Sequence, residues 1–417
     1  MRLLRHLQPP APLARREIRV LALLGIVAFT QGWTGAVITH TLAFTRVTFD
    51  LSDSRISDVL ALTRAVALLA LAFSWWGDRR GRRAPLLLAF FVLPAANLVT
   101  AFVPGVVGFA ALQSIARVGT IAVGGLALVV LAEEVQPAIR GYASSLYALL
   151  GSSGTGFGLL LSGIAEASPE AWRWLFAASS LPLLAFPLLV RHLAESRAWR
   201  RAPVRPPLSE ALRGVHARRF WPMAGLSFAL AAFTGPGANF VLVRMVNTLD
   251  WQQGTAALLL AAVSTPAVIL GLLLGGRAAD VAGRRPTEAV SILVGVAGGI
   301  LFYYSETGWL LGLGIFTSVL GASALGPAFA SQRSELFPTG VRATAAAWLT
   351  NAAIVGGLFG FLAGRFVIDA FGIPATMAAL GGLLVAASSL ILLLPETKGT
   401  HLTDPGDPLT PPGAIPV

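Results

Sequence analysis

Apolar residues gather into twelve runs separated by short polar connectors. Each run approaches the roughly 20 residues that a helix needs to cross the hydrocarbon of a bilayer. The first six cover residues 20–43, 57–76, 84–103, 107–131, 142–163 and 172–190. The second six cover 222–243, 255–275, 287–304, 308–331, 344–366 and 373–394. This pattern predicts an all-α membrane protein with twelve transmembrane helices. The one long connector, 191–220, divides the chain into an N-terminal six-helix half (1–190) and a C-terminal six-helix half (221–395), with a tail at 396–417. The first 19 residues read as a cytoplasmic tail, because the run that follows is longer than a signal-peptide core and no small-residue cleavage pattern accompanies it.

Composition agrees with the runs. Hydrophobic residues make up 55% of the 417 and charged residues only 12%, about half the charged share of a soluble domain. The chain has no cysteine, which excludes disulfides, thiolate catalysis and cysteine-ligated metals. His6, His40, His192, His216 and His401 are too scattered to suggest a metal site. No cofactor is expected, and no nucleophile–base pair that would mark an enzyme stands out in the spans.

The net charge is +11, carried almost wholly by arginine. With twelve spans both termini lie on one side, and that side collects 24 of the 31 basic residues. The other side holds five, Arg46, Arg55, Arg173, Arg244 and Arg365, while Arg64 and Arg117 fall inside spans. The positive-inside rule then places both termini in the cytoplasm of a cell with an inner membrane. Basic charge is accounted for by topology, so nucleic acid is not an expected partner. The expected partners are the lipid bilayer and a small-molecule substrate, with the protein a monomer.

The chain also repeats itself. Asp78, Gly81, Arg82 and Arg83 recur 202 residues later as Asp280, Gly283, Arg284 and Arg285. The same offset links Glu133 to Glu335, Arg140 to Arg342, Gly119 to Gly321 and Gly124 to Gly326. The two halves are therefore parallel repeats, the plan of transporters whose halves rock about a site at the membrane midplane.

These residues carry a resemblance to the major facilitator superfamily. The Asp-x-x-Gly-Arg-Arg loops after spans 2 and 8 match its signature, with Ser74 where the first copy usually has glycine. Glu133…Arg140-Gly141 and Glu335-Leu336-Phe337-Pro338-Thr339-Gly340-Val341-Arg342 match the loops after spans 4 and 10, and Trp172-Arg173-Trp174 the start of span 6. Glu195-Ser196-Arg197-Ala198-Trp199 and Pro395-Glu396-Thr397-Lys398-Gly399 are similar to marks of the sugar-porter and organic-ion branch. The resemblance implies the major facilitator fold and secondary transport by alternating access. It also implies that Asp78, Gly81, Arg82, Arg83, Glu133, Arg140, Asp280, Gly283, Arg284, Arg285, Glu335 and Arg342 form charge networks that latch and release the cytoplasmic side. The plainer alternative makes these arginines topological anchors and the acids their solvating partners.

Polar residues inside spans are costly, which makes Gln31, Thr34, Arg64, Arg117 and Asn239 the candidates for a substrate cavity. Counting along the helices puts Thr34, Arg64 and Arg117 at a common depth in the outer half of the membrane. In span 1 the sugar porters resembled here carry Gly-Tyr-Asp/Asn-Thr-x-Val-Ile, and this chain reads Gly32-Trp33-Thr34-Gly35-Ala36-Val37-Ile38. The symporters' protonatable aspartate is thus replaced by Thr34, while the span 4 arginine that partners it is kept as Arg117. His40, nearer the outer rim, is the remaining titratable group of span 1. In span 7, Gly237 and Asn239 remain of the sugar-reading pattern, but Phe233 and Thr234 replace its glutamine pair. In span 10, Gly326 and Pro327 remain but Ala330 replaces the tryptophan.

Two readings of Arg64 and Arg117 stay open. They snorkel toward the interface or are held by backbone carbonyls, or they meet an anionic substrate in a transporter not proton-coupled through span 1. Other functions compatible with the chain are a proton-coupled sugar or metabolite symporter and a non-transporting sensor of the same fold. The glycines of spans 5 and 11 are expected to serve close helix packing, and Gly235-Pro236-Gly237 is expected to break span 7.

Overall fold

The computed structural model describes residues 13–136, 140–196, 212, 214–337 and 339–398. The described residues are nearly all helical, and eleven stretches among them are long and apolar enough to cross a membrane. The last of these, Ala345–Leu393, holds two expected spans. They are joined through Gly372, whose φ of 78° and ψ of 174° belong to the region that glycine alone adopts freely.

The helices are α1 Arg15–Thr48, α2 Asp53–Ala67, α3 Ala70–Arg80, α4 Arg83–Thr100, α5 Val106–Glu134, α6 Arg140–Leu161, α7 Trp172–Ala178 and α8 Phe186–His192. They continue with α9 Gly214–Val243, α10 Gln253–Val281, α11 Arg284–Tyr304, α12 Gly308–Glu335 and α13 Thr339–Ser388. Span 2 comprises α2 and α3. Span 6 is interrupted between α7 and α8 by a 3-10 stretch at Leu181–Ala185. Pro182 and Pro187 explain the interruption, because each lacks an N–H and crowds the preceding turn.

Contacts divide the chain into two compact units. One draws on Met1–Leu51, Leu62–Pro203 and Trp251–Ala257, the other on Ser52–Ala61, Val204–Asp250 and Leu258–Val417, as far as these are described. The start of α2 therefore belongs to the second unit, where Asp58 pairs with Arg365 at 3.1 Å. The residues leading into α10 and its first turn belong to the first unit, where the Gln253 side-chain amide donates to the His40 carbonyl.

Each unit shows the same pairing. In the first, α1 packs along α6 and α4 along α5; in the second, α9 packs along α13 and α11 along α12. Glycine makes the first kind of contact possible. A Cβ on Gly154 would overlap the Phe29 carbonyl, and one on Gly356, 202 residues on, would overlap the Phe228 carbonyl. Small residues thus bring backbones together where lipid supplies no hydrophobic drive.

The expected break in span 7 is not found. α9 runs unbroken through Gly235, Pro236 and Gly237 to Val243, with a π turn at Arg244–Thr248 after it. Pro236 deprives the Ala232 carbonyl of its i+4 donor, and at that carbonyl Gly360 makes its closest approach, where any Cβ would overlap it. The helix continues past the proline's local defect, which lies at this close helix contact.

The first unit's core gathers Leu24, Val27, Leu86, Phe90, Val123 and Leu131 from α1, α4 and α5. That of the second gathers Phe220, Met223, Leu336, Phe337, Leu349 and Leu394. By contrast α10 is the most apolar of the candidate spans and the least buried. Its exposed Leu258, Ile269, Leu272, Leu273 and Leu274 form the surface that lipid, not protein, must cover.

Candidate functional site

Within the first unit, the face of α1 that carries Gln31 and Gly35 meets the face of α5 that carries Thr120 and Gly124. The Gln31 side-chain amide donates to the Thr120 carbonyl at 3.1 Å and its oxygen accepts the Tyr147 hydroxyl at 2.7 Å. Gly124 leaves the room this amide occupies, and a Cβ on Gly35 would stand 2.8 Å from the Thr120 methyl. One turn from Thr120, on the same face of α5, lies Arg117. It is half-buried, and its Nε is sealed without a hydrogen-bond partner. Arg64 of α2, in the same unit, is half-buried too.

Of the span 1 candidates, Thr34 does not join this group. It is 2% exposed, its hydroxyl donates to the Thr30 carbonyl at 2.5 Å, and its own carbonyl accepts from the Asn97 amide at 3.0 Å. Thr34 therefore faces a different neighbour, a buried network in which Asn97 also donates to Ser179 at 3.0 Å. Gln113 donates to both Asn97 and Thr100, at 3.2 and 3.0 Å. Sequence reasoning missed Asn97 and Gln113; the available signal was the one amide side chain in each of spans 3 and 4. His40 is 5% exposed with its Nδ1 unpartnered. In the second unit Asn239 is 7% exposed, and its side chain donates to the Gly235 carbonyl at 2.8 Å. Beside it the Tyr303 hydroxyl donates to the Gly237 carbonyl at 2.7 Å.

The duplicated motif residues build the same device twice. Gly81 and Gly283 turn the chain with φ of 110° and 108°, and α4 and α11 begin immediately afterwards. Into the first start comes Glu195, accepting the Arg82 and Arg83 backbone N–H groups at 2.7 and 3.2 Å. Into the second comes Glu396, accepting those of Arg284 and Arg285 at 2.9 and 3.1 Å. A carboxylate at these orphan donors also meets the positive end of the helix dipole. Burial raises the Glu396 carboxyl, but the N–H groups of Arg284, Arg285, Lys398 and Thr397 outweigh it and hold the pKa below the ordinary carboxylate value.

The motif arginines then cross to the next helix. Arg82 pairs with Glu133 at 3.4 Å, and Arg284 with Glu335 at 3.0 Å and with Asp280 at 3.0 Å. Arg83 donates to the Leu193 carbonyl at 2.7 Å and Arg285 to the Leu392 carbonyl at 3.2 Å. These bonds tie spans 3, 4 and 6 together in one unit and the start of span 9 to span 10 and the segment after span 12 in the other. Asp78, Arg140 and Arg342 lie in α3, α6 and α13, but their side chains fall outside the described residues. Glu195 and Glu396 are the partners that sequence reasoning quoted as branch marks without assigning them to the networks. Arg173 of the Trp-Arg-Trp stretch donates to the Ala101 and Val103 carbonyls at 3.1 and 2.7 Å, closing the open end of α4.

The family profile of the Major Facilitator Superfamily matches residues 22–243 and again 224–416. The chain belongs to the major facilitator superfamily. Its relatives fall in the branch of sugar porters and organic-ion transporters. Inositol transporter 4 of Arabidopsis thaliana is 28% identical over 193 residues, covering 44% of this chain and 32% of that one. The arabinose-proton symporter of Bacillus subtilis is 28% identical over 207 residues, covering 46% and 45%. Solute carrier family 22 member 2 of Oryctolagus cuniculus is 24% identical over 368 residues, covering 80% and 65%. Each match spans less than two thirds of the relative's length. Among solved structures, the D-xylose-proton symporter aligns with a TM-score of 0.74 at 21% identity, covering 93% of this chain and 99% of that chain. A bacterial homologue of the lysosomal transporter Spinster aligns with a TM-score of 0.73 at 17% identity, covering 92% and 97%. Family, fold and apolar helices define an integral membrane protein of the major facilitator superfamily.

Proposed function

We propose that the protein moves a small organic anion across the cytoplasmic (inner) membrane by alternating access, without proton coupling through span 1. The observation that carries this reading is Arg117, a guanidinium inside span 4 whose Nε is sealed without a hydrogen-bond partner. A cationic group inside a membrane-embedded unit is expensive to desolvate, and Arg64 adds a second one in the same unit. A carboxylate or phosphate on the Arg117 fork offsets that cost, and the Gln31 and Tyr147 pair stands on the neighbouring faces as a further hydrogen-bonding partner. Thr34 supports the second half of the reading, since a hydroxyl does not titrate in the physiological range.

In this reading the protein is a monomer with both termini cytoplasmic, acts on a small molecule rather than nucleic acid, and performs no chemistry on its cargo. The arginine–glutamate networks of Arg82 and Arg284 serve as the cytoplasmic latch. A second reading, proton-coupled sugar symport, is favoured by the arabinose-proton and D-xylose-proton symporters among the similar proteins. Counterflow in proteoliposomes against labelled sugars, organic anions and organic cations separates the two. The anion reading expects exchange of an anion that persists after the pH gradient is collapsed. Exchange of a neutral sugar or a cation alone would overturn it.

A further inference from the structure

The inner end of α1 carries a second feature that transport does not use. A cavity of about 400 Å³ opens there, lined by Arg15, Arg16, Arg19, Glu134 and His192 among others. Glu134 is taken by Arg16, whose Nε donates to it at 3.0 Å. Arg15 and Arg19 are exposed and pair with no acid among the described residues. His192 turns its Nδ1 to the Leu188 carbonyl at 3.0 Å, which leaves its other ring nitrogen available. The pocket therefore keeps an excess of positive charge after its one acid is satisfied.

Alongside it runs a groove of about 660 Å³ that is almost wholly apolar. Ile18, Ala22, Ile26 and Phe29 of α1 line it, with Leu146 and Leu150 of α6 opposite and Pro182 at its far end. The two features adjoin along α1. Residues 15, 19, 22 and 26 are spaced by four, three and four, so they form one stripe on α1. Its first two members belong to the basic pocket and its last two to the groove. From Ile18 to Thr30 the groove rises about 18 Å at 1.5 Å per residue, close to the half-thickness of a hydrocarbon core of about 30 Å.

We propose that this is a binding site for an anionic glycerophospholipid of the inner leaflet, with the headgroup phosphate on Arg15 and Arg19 and one acyl chain in the groove. A basic recess between helix ends at the cytoplasmic side suits a lipid phosphate, and the groove has the length of one leaflet's chain. A zwitterionic headgroup would bring an ammonium into a pocket that already has excess positive charge. The proposal rests on the cytoplasmic placement of the start of α1 in the proposed topology, and stands apart from the identity of the transported solute.

The test is native mass spectrometry of the full-length protein titrated with phosphatidylglycerol, with phosphatidylcholine of the same chains, and with glycerol phosphate alone. Phosphatidylglycerol should be retained about tenfold more tightly than phosphatidylcholine, from two arginines at the membrane surface. The Arg15→Gln, Arg19→Gln double variant should lose that preference, and Ala22→Trp, which fills the groove, should weaken both lipids. Equal retention of the two lipids by the unaltered protein overturns the proposal without any variant having to fold. So does glycerol phosphate binding as tightly as the lipid with Ala22→Trp silent, which would mark a site for free phosphate.

Discussion

The Gln332 side chain of α12 meets the Glu288 carboxyl of α11, and turning the Gln332 amide nitrogen-first toward the acid lets it donate to both carboxylate oxygens, at 3.0 and 3.1 Å. Both residues are fully buried. At the offset of 202 that relates the two halves, the same positions hold Leu86 and Val130, which are also buried and sit in one apolar core. One contact is thus built twice, once from a leucine and a valine and once from an acid and an amide.

The repeat supplies its own control for what that polarity does to folding. Gln332→Val should leave a buried carboxyl without its partner and destabilise the second unit by about 1–3 kcal/mol. The Glu288→Leu, Gln332→Val double variant copies the first unit's solution and should recover most of that loss. Thermal unfolding in detergent measures both. A double variant no better than the single would mean that the surrounding shape, and not the unsatisfied acid, sets the cost.

Gly81 and Gly283 should tolerate no side chain. Both have positive φ, and a Cβ on either would collide with the carboxylate that caps the next helix, Glu195 or Glu396. Alanine at either site should cost about 1–3 kcal/mol from the backbone alone and also displace the cap. Gly276→Ala is the comparison, because it sits within α10 with nothing within 4 Å of an added Cβ. It should be neutral or stabilising by up to about 1 kcal/mol. Similar losses at all three positions would show that the turn geometry is not the cause.

The Glu396 cap should be visible as pH dependence. Its carboxyl is held below the ordinary value by backbone N–H donors in spite of burial. A group depressed in the folded state stabilises above its unfolded pKa, and that contribution fades as pH falls through the folded pKa. Glu396→Gln should therefore unfold below the unaltered protein at neutral pH, and the two should converge on acidification. A gap that stays constant into the acid range would assign the effect to shape rather than charge.

What could be read from the chain alone follows from which forces act locally. Run lengths fixed the number of spans, and the repeat fixed their parallel plan, because both reflect requirements that each segment meets by itself. Gly154 and Gly356 were legible as packing glycines for the same reason. Helix continuity at Pro236 was not, since the packing at that point, where Gly360 comes close to Ala232, is supplied by a segment more than a hundred residues away. The facing of Thr34 was misjudged because depth along a helix says nothing of direction around it. Thr34 stands one turn from Gln31, yet its hydroxyl turns back to the Thr30 carbonyl while the Gln31 amide reaches Thr120, and only the packed neighbours decide between the two. Glu195 and Glu396 could be quoted as marks but not placed, since their partners are backbone groups that carry no residue identity.

The last prediction concerns Arg117. If its guanidinium meets an anion, the loss of the fork should remove charge-assisted hydrogen bonds made only with charged cargo. Arg117→Ala should weaken binding of the anion by about tenfold or more and leave neutral competitors nearly unchanged. Arg117→Lys should restore only part of the affinity, because an ammonium is a point charge without the planar fork. Were Arg117 merely an anchor held by the helices, lysine and alanine would alter expression and unfolding temperature, and the ranking of ligands would not move. The same liposomes test the coupling. Since Thr34 cannot carry a proton, uptake should survive a protonophore at zero membrane potential. Abolished uptake under those conditions would return the carrier of the proton to another residue of this chain and overturn the uncoupled mechanism, while an unchanged anion preference in Arg117→Ala would remove Arg117 from the site.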